Sequence, residues 1–301
     1  MSTTSVTERL ATPAEGSLST RILRSLNRTP IHIFLGIVAV IWLAPTIGLL
    51  ITSFRPRSDI QSTGWWDISQ LHLTLDNYRS VLQAQGMLDA FINTVIIAVP
   101  STILPLVICS LAAYAFSWIR FPFRDTAFLI VVGFLLVPVQ VAFIPLLTMF
   151  RDLLPDLELT RGYVAIWLAH TAFALPFGIF LLRNFFITLP KDLIEAARMD
   201  GASEFAVFRR VVIPLSVPAL ASFAIFQFLW VWNDLLMALI FVSNPAKQPM
   251  TVKITQLLGT YAQEFHLLAA AGFLLMAVPL IVFFALQRYF VQGLLAGSVK
   301  S

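Results

Sequence analysis

The 301-residue chain has little charge, little histidine and almost no cysteine. Charged residues make up 12% of it, against roughly 25% in soluble domains, so a water-soluble globular fold is not expected. The single cysteine, Cys109, excludes an intramolecular disulfide framework and a cysteine-based metal cluster. The few histidines are scattered, and we expect no metal or cofactor on this chain.

Basic residues are not concentrated in one place either. The net charge is +4, but the 20 Lys and Arg lie on several short connectors, which argues against nucleic-acid binding. What the chain does have is apolar sequence: 58% of residues are hydrophobic and the mean hydropathy is +0.84.

The apolar residues form six long runs, each long enough to cross about 30 Å of hydrocarbon as a helix. None alternates as a barrel strand would, so the sequence predicts an all-α membrane protein with six transmembrane helices. Eight prolines inside the runs predict kinks, with the freed carbonyls satisfied by neighbouring groups or water. The runs are Ile31–Phe54, Ile92–Trp118, Ala127–Phe150, Tyr163–Phe186, Leu215–Val242 and Leu267–Phe290.

The connectors predict the orientation of the chain. Residues 1–30, rich in Ser and Thr, lack the pattern of a signal peptide and are expected to form a mobile cytoplasmic tail. Of the 20 Lys and Arg, 13 fall on the side that carries both ends of the chain. The positive-inside rule therefore places both termini, including a second tail at residues 291–301, in the cytoplasm.

The longest extracytoplasmic connector is predicted at residues 55–91 and contains Trp65 and Trp66. Leu75, Tyr78 and Leu82 share one helical face, with Thr74 as a candidate N-cap. This pattern favours an amphipathic helix on the membrane surface, and a docking surface for a partner protein is an open alternative.

Residues 188–214, between the fourth and fifth runs, predict a helix-turn-helix outside the bilayer. Pro190 is suited to begin a helix of about eleven residues, and Gly201 to end it in the left-handed conformation. Ser203 is suited to cap a second helix. A short helix with small alanines can fit closely into a groove, where Glu195 could pair with an arginine.

This stretch resembles the EAA motif of permease subunits of binding-protein-dependent ABC importers. The matching residues are Glu195, Ala196, Ala197, Gly201, Val211, Ile213 and Pro214. Residues 112–122, 228–234 and 290–300 are similar to the carbohydrate-uptake branch, in particular to the second permease of the maltose-type importer. The resemblance extends from about Ile31 to the C-terminus, and we name residues 188–214 the EAA loop.

The resemblance implies a type I ABC importer permease bundle in the bacterial inner membrane. It implies that the chain pairs with a homologous second permease and receives a sugar or sugar-like solute from an extracytoplasmic binding protein. Two ATPase subunits would hold ATP and Mg, consistent with the lack of a phosphate-binding loop motif in this chain. The residues expected to contact an ATPase are Glu195, Ala196, Ala197, Asp200, Gly201, Ala202 and Pro214.

Four polar residues in or beside the spans are candidates for the solute path, because sugar hydroxyls require hydrogen-bonding groups. They are Gln140, Gln227, Asn233 and Asp234. For Asp234, capping a helix break beside Asn233 is the favoured reading and a place on the path the alternative. His170, inside the fourth run, is expected to be a hydrogen-bonded packing residue.

Two further segments resemble contact regions of the family. Gly259, Thr260, Tyr261 and Gln263, in the connector 243–266, are similar in position to a loop that contacts the binding protein; an ordinary connector is the alternative. Gly293, Gly297 and Lys300 lie in a tail that relatives insert between the ATPases, and a frayed end is the alternative. An ion-coupled secondary transporter or a membrane enzyme stays open but is poorly supported, because ionisable groups in the spans are sparse.

Overall fold

The computed structural model describes residues 18–67, 69, 72–83, 86–153, 162–260 and 264–298. Within these ranges the chain is helical and contains no strand. The α-helices are α1 Leu18–Phe54, α2 Arg57–Ser62, α3 Asp76–Gln83, α4 Met87–Trp118, α5 Arg124–Gly133, α6 Val139–Leu153, α7 Val164–Phe186, α8 Lys191–Met199, α9 Glu204–Val207, α10 Ile213–Leu215, α11 Val217–Trp232, α12 Leu236–Phe241, α13 Met250–Thr260 and α14 Phe265–Ser298.

Four helices are long and apolar enough to cross a membrane. They contain the stretches Thr29–Phe54, Met87–Trp118, Val164–Phe186 and Phe265–Gln287. Two further pairs of segments pass the same test together but bend, by 104° between Leu136 and Val139 and by 78° at Ser216. Counting each bent pair as one span gives the six that the sequence predicts.

The third and fifth predicted spans are therefore not continuous helices. Val137 is extended because the following Pro138 disfavours a helical conformation there. In the fifth span a new helix, α11, begins at Val217 and has Pro218 in its first turn, a position that proline favours. That helix ends at Trp232 instead of at Val242, and the short helix α12 follows after a break.

The ends of the chain also differ from the predicted boundaries. Helix α1 begins at Leu18, so the predicted tail of residues 1–30 overlaps it, while residues 1–17 lie outside the described residues. Helix α14 continues to Ser298, beyond the predicted end of the last span at Phe290. Helix α1 runs on past its apolar stretch even though Pro30 lies inside it.

Helices α4, α7 and α11 form the centre of the bundle, with α14 against α11. At the end that carries the EAA loop, buried residues form what we call the loop-end cluster, which includes Tyr114, Ile194, Phe208 and Phe223. Cys109 is fully buried in this cluster, as expected for a packing thiol. Gly178 lets α7 approach α4 and α11 closely, because a Cβ there would clash with Cys109 of α4 and Phe223 of α11.

Prolines inside α4 and α14 leave three backbone carbonyls without their helical donor, the N–H four residues later. Pro100 frees the carbonyl of Ile96, Pro105 that of Ser101, and Pro279 that of Leu275. Each accepts a hydrogen bond from a side chain of another helix: Trp167 Nε1 to Ile96 at 3.0 Å, Gln227 Nε2 to Ser101 at 3.0 Å and Trp232 Nε1 to Leu275 at 2.8 Å.

These three hydrogen bonds confirm, for Pro100, Pro105 and Pro279, that neighbouring groups satisfy the freed carbonyls. They also specify which helices are neighbours, because they join α7 to α4, α11 to α4 and α11 to α14. We call them the proline ties. In hydrocarbon no water replaces a missing donor, so each tie removes the cost of an unsatisfied carbonyl.

Helix α3 packs against the bundle through Asn77 and Val81, and the placement of the apolar face of Leu75, Tyr78 and Leu82 on the membrane surface stays a prediction. Thr74 caps the helix as expected, its hydroxyl accepting from the Asp76 N–H at 3.0 Å. Leu75 is 57% exposed, whereas Asn77 and Val81 are buried. Asn77 Nδ2 donates to the carbonyl oxygens of Ser53 and Arg55 at 2.9 and 2.8 Å, where α1 ends and its carbonyls lack helical donors.

The tie between Trp167 and Ile96 can be tested with a double-mutant cycle. Trp167→Phe keeps an aromatic ring but removes the donor, which leaves a buried acceptor unsatisfied and should cost about 1–3 kcal/mol of stability. Pro100→Ala restores the helical N–H to Ile96, so the double variant should regain much of the lost thermal stability. Additive losses in detergent-purified protein would contradict the tie.

Candidate functional site

The first helix of the EAA loop, α8, comprises the nine residues Lys191–Met199, two fewer than predicted. Pro190 precedes it as N-cap. Asp192 lies in the first turn and Arg198 in the last. These charges complement the partial charges at the two ends of the helix, so the sequence itself favours a helix of this length.

The C-terminus of α8 has the hydrogen bonds of a Schellman motif. Gly201 has φ = +79°, a conformation that L residues with side chains rarely adopt. The Ala202 N–H donates to the Ala197 carbonyl and the Gly201 N–H to the Arg198 carbonyl, both at 3.0 Å. The predicted role of Gly201 as a left-handed cap is confirmed, and the turn after α8 is closed by its own backbone.

Helix α8 has one anchored face and one free face. Ile194 is fully buried in the loop-end cluster and fixes the helix against the bundle. Glu195 and Ala196 are exposed, and Met199 is 89% exposed. In the described part of the chain Glu195 has no ion-pair partner. The free face thus presents a small residue beside an unpaired carboxylate.

The remaining predicted residues of the loop do not all share this face: Ala197 is half-buried and packs against the loop-end cluster. Asp200 is exposed at the C-cap position, and Ala202 packs against the loop-end cluster. Ser203 caps α9 as predicted, its hydroxyl accepting from the Ala206 N–H at 3.3 Å. Pro214 lies in α10, after the π-helical segment Phe208–Val212, and so belongs to the return into the bundle.

An ion pair between the two helices of the loop was not predicted. Arg198 donates to both carboxylate oxygens of Glu204, at 2.9 and 3.0 Å, and to the Trp118 carbonyl of α4 at 3.2 Å. The Tyr114 hydroxyl of α4 donates to Glu204 at 2.6 Å. The hydrogen bonds to Glu204 raise the pKa of Arg198 above its ordinary value. We call these four residues the loop clamp.

The candidate solute-path residues do not form one site in the single chain. Gln140 is exposed in the first turn of α6. Gln227 is buried, and its amide forms a proline tie. Asn233 is exposed and donates to the Leu229 carbonyl of its own helix at 2.8 Å. Contact of these three residues with solute stays a prediction.

Asp234 lies at the break between α11 and α12. Its Oδ2 accepts from the Ala238 N–H at 3.2 Å, and its carbonyl accepts from Thr251 Oγ1 at 2.8 Å. This geometry matches the favoured capping role. The Asp234 carboxylate also lies 3.9 Å from His170 Nε2. That nitrogen is buried without a hydrogen bond, so the hydrogen-bonded packing expected of His170 is not found at Nε2.

The connector 243–266 is more ordered than an ordinary loop. It contains α13, in which Met250 and Val252 are buried, and the Met250 N–H donates to Thr94 Oγ1 of α4 at 2.9 Å. Gly259 and Thr260 form the last residues of α13, whereas Tyr261 and Gln263 lie outside the described residues. A cavity of about 340 Å³ opens between α4 and this connector, lined by Gly86, Asp89, Ala90, Asn93, Pro245, Ala246 and Lys253.

Of the predicted tail contacts, Gly293 and Gly297 fall on the last turns of α14, and Lys300 lies outside the described residues. The chain is thus a helical membrane protein that has a short helix, α8, with one exposed face at one end of its bundle.

Residues 106–295 match the family model described as "Binding-protein-dependent transport system inner membrane component". The chain belongs to this family. It is a multi-pass inner-membrane permease, the membrane-spanning subunit of a binding-protein-dependent ABC importer. The EAA loop and the helices α7 and α11 lie within the matched residues, and α4 overlaps them from Leu106 onward.

Curated relatives and solved structures agree with this assignment. The permease is 51% identical to the osmoprotective compounds uptake permease protein GgtD of Synechocystis sp., over 91% of this chain and 93% of that protein. It is 50% identical to the alpha-glucoside transport system permease protein AglG of Rhizobium meliloti, over 75% of this chain and 60% of that one. A bacterial ABC transporter for alginate import contains a chain of the same fold, with a TM-score of 0.71, 25% identity and coverage of 91% and 98%.

The glycine cap of the permease can be tested by hydrogen exchange. Gly201→Val places a β-branched side chain in the left-handed region, at a cost of about 1–2 kcal/mol. The amide hydrogens of Asp200, Gly201 and Ala202 should therefore exchange faster, which mass spectrometry of the loop peptides can measure. Gly133→Ala is the matched control, because Gly133 is helical and a Cβ there meets nothing within 4 Å. Unchanged exchange in Gly201→Val would argue against the Schellman motif.

Proposed function

We propose that this permease forms half of the path for a sugar or sugar-like solute and couples to an ATPase through α8. The observation that carries the proposal is the free face of α8, which presents Glu195 and Ala196 beside a rigid glycine-capped turn. Small residues let a helix approach a groove closely, and an unpaired carboxylate can accept a bidentate arginine. The EAA loop then lies in the cytoplasm, together with both termini.

The partners follow from the same proposal. A homologous second permease completes the path, an extracytoplasmic binding protein delivers the solute, and two ATPase subunits bind and hydrolyse ATP with Mg. This chain is then non-catalytic. The residues Gly293, Gly297 and Lys300 contact the ATPases, and Gly259, Thr260, Tyr261 and Gln263 contact the binding protein.

Among possible solutes we propose the α-glucosides. Support comes from AglG, an alpha-glucoside permease by name; the name of GgtD refers to osmoprotective compounds, which the test below includes as the competing class. An uncharged glucoside presents several hydroxyl groups, which match amide groups such as those of Gln140 and Asn233. The ion-coupled alternative is not retained, because ATP drives importers of this family.

Coupling through α8 predicts a loss of uptake in Glu195→Ala. Removing one partner of a largely buried ion pair costs on the order of 3–5 kcal/mol, enough to disconnect the ATPase without unfolding the bundle. Uptake should fall to background, while the amount of the chain in the membrane stays at the wild-type level. Asp192→Ala is the matched control, since it removes an exposed carboxylate one turn earlier on the same helix and should keep uptake. Normal uptake in Glu195→Ala would refute the coupling role.

The solute class can be tested in cells that express the complete importer. Radiolabelled maltose, trehalose and sucrose, three α-glucosides, are compared with glycine betaine, an osmoprotectant without a sugar ring. At least one glucoside should be taken up and should compete with the others. Uptake of glycine betaine alone would overturn the sugar assignment and leave the coupling role of α8 untouched.

A further inference from the structure

Three helix ends meet at the loop clamp. Trp118 is the last residue of α4, Arg198 lies in the last turn of α8, and Glu204 is the first residue of α9. The Trp118 carbonyl has no helical donor of its own, and Arg198 supplies one. The cation lies at two helix C-termini and the carboxylate at a helix N-terminus, so both charges agree with the helix dipoles.

The clamp connects parts of the chain that are distant in sequence. Tyr114 precedes Glu204 by 90 residues, and Trp118 precedes Arg198 by 80. The EAA loop is joined covalently to α7 and α11, whereas its hydrogen bonds to Tyr114 and Trp118 lead into α4. Helix α4 packs against both α7 and α11 along the bundle. A displacement of α8 that carries the clamp with it must therefore displace α4.

We propose that Tyr114, Arg198 and Glu204 are positioning residues that transmit the displacement of α8 to α4. The proposal rests on the proposed coupling through α8 and adds the path by which that movement enters the membrane bundle. Two charge-assisted hydrogen bonds between Arg198 and Glu204 fix their relative orientation. Two hydrogen bonds tie this fixed unit to α4: the one from the Tyr114 hydroxyl to Glu204 at 2.6 Å, and the longer one from Arg198 to the Trp118 carbonyl at 3.2 Å. We expect the shorter bond, which Tyr114→Phe removes by itself, to be the main one in this connection.

The hydroxyl of Tyr114 can be removed without changing the packing of its ring. The Tyr114 ring is 4% exposed and packs against Phe208, with a distance of 5.3 Å between ring centroids. Tyr114→Phe keeps this packing and the Arg198–Glu204 pair, and removes only the hydrogen bond to Glu204. The matched control is Tyr163→Phe, which removes a hydroxyl that donates to Asn93 at the other end of α4.

The first measurement is the distance between spin labels on α8 and α4 in the complete importer. Labels at Lys191→Cys and Leu111→Cys use exposed positions, and the native Cys109 is fully buried. With the clamp intact, α8 and α4 move together, so the distance should be the same with and without ATP and vanadate. In Tyr114→Phe the distance should change when nucleotide is added, and in Tyr163→Phe it should not.

The second measurement is the amount of solute taken up per ATP hydrolysed, with whichever of maltose, trehalose or sucrose the wild-type importer transports. Loss of the clamp should lower this ratio by about fivefold or more, the lower limit of typical coupling between sites. Glu204→Gln should lower it as well, because it weakens the ion pair while keeping the size of the side chain.

The outcomes separate this proposal from the one on which it rests. If Glu195→Ala abolishes uptake but Tyr114→Phe keeps both the wild-type ratio and a nucleotide-independent distance, the clamp proposal is overturned and coupling through α8 stands. Should Glu195→Ala transport normally, the coupling role itself fails. A merely structural clamp would lower the yield of folded complex without making the α8–α4 distance depend on nucleotide.

Discussion

A backbone carbonyl without a donor is costly inside hydrocarbon, and much of this permease is organised around that cost. Prolines in α4 and α14 free three carbonyls, and a tryptophan or glutamine of another helix donates to each. Helix ends follow the same rule: Asn77 donates to a carbonyl at the end of α1, and Arg198 donates to the carbonyl of Trp118 at the end of α4. Because the donors come from other helices, satisfying the backbone also fixes the packing of the bundle.

Features that depend on neighbouring residues could be predicted from the sequence. The number of spans follows from apolar length, and the caps formed by Thr74, Gly201 and Ser203 follow from the chemistry of single residues at helix ends. The bends after Leu136 and at Ser216 lie at Pro138 and Pro218, two of the prolines predicted to kink the spans. Their size, 104° and 78°, was not predictable, because a proline in an apolar run does not determine how far the two halves of the helix turn apart. The apolar face of α3 follows from hydrophobicity, whereas the side that packs on the bundle depends on Asn77, which donates to the carbonyls at the end of α1 and is not identified by any apolar pattern.

The candidate site was predictable to the same degree. Glu195, Ala196 and Gly201 are recognisable because their spacing along one helix is fixed. Arg198 is separated by a turn from its partner Glu204 and by two spanning helices from its partner Trp118, and no periodicity in the sequence connects these residues. Gln227 was assigned to the solute path because amides bind sugars. In the structure its Nε2 donates to the Ser101 carbonyl, and this partner can be recognised only once α11 is known to pack against α4.

The tie at Pro100 has a consequence for how the bundle bends. A proline weakens its helix at one point, which would ordinarily let that helix flex alone. Here the indole of Trp167 in α7 donates to the carbonyl at the weakened point of α4. If α4 bends there, either α7 moves with it or this hydrogen bond breaks and the Ile96 carbonyl loses its donor. We therefore expect α4 and α7 to bend together at this point.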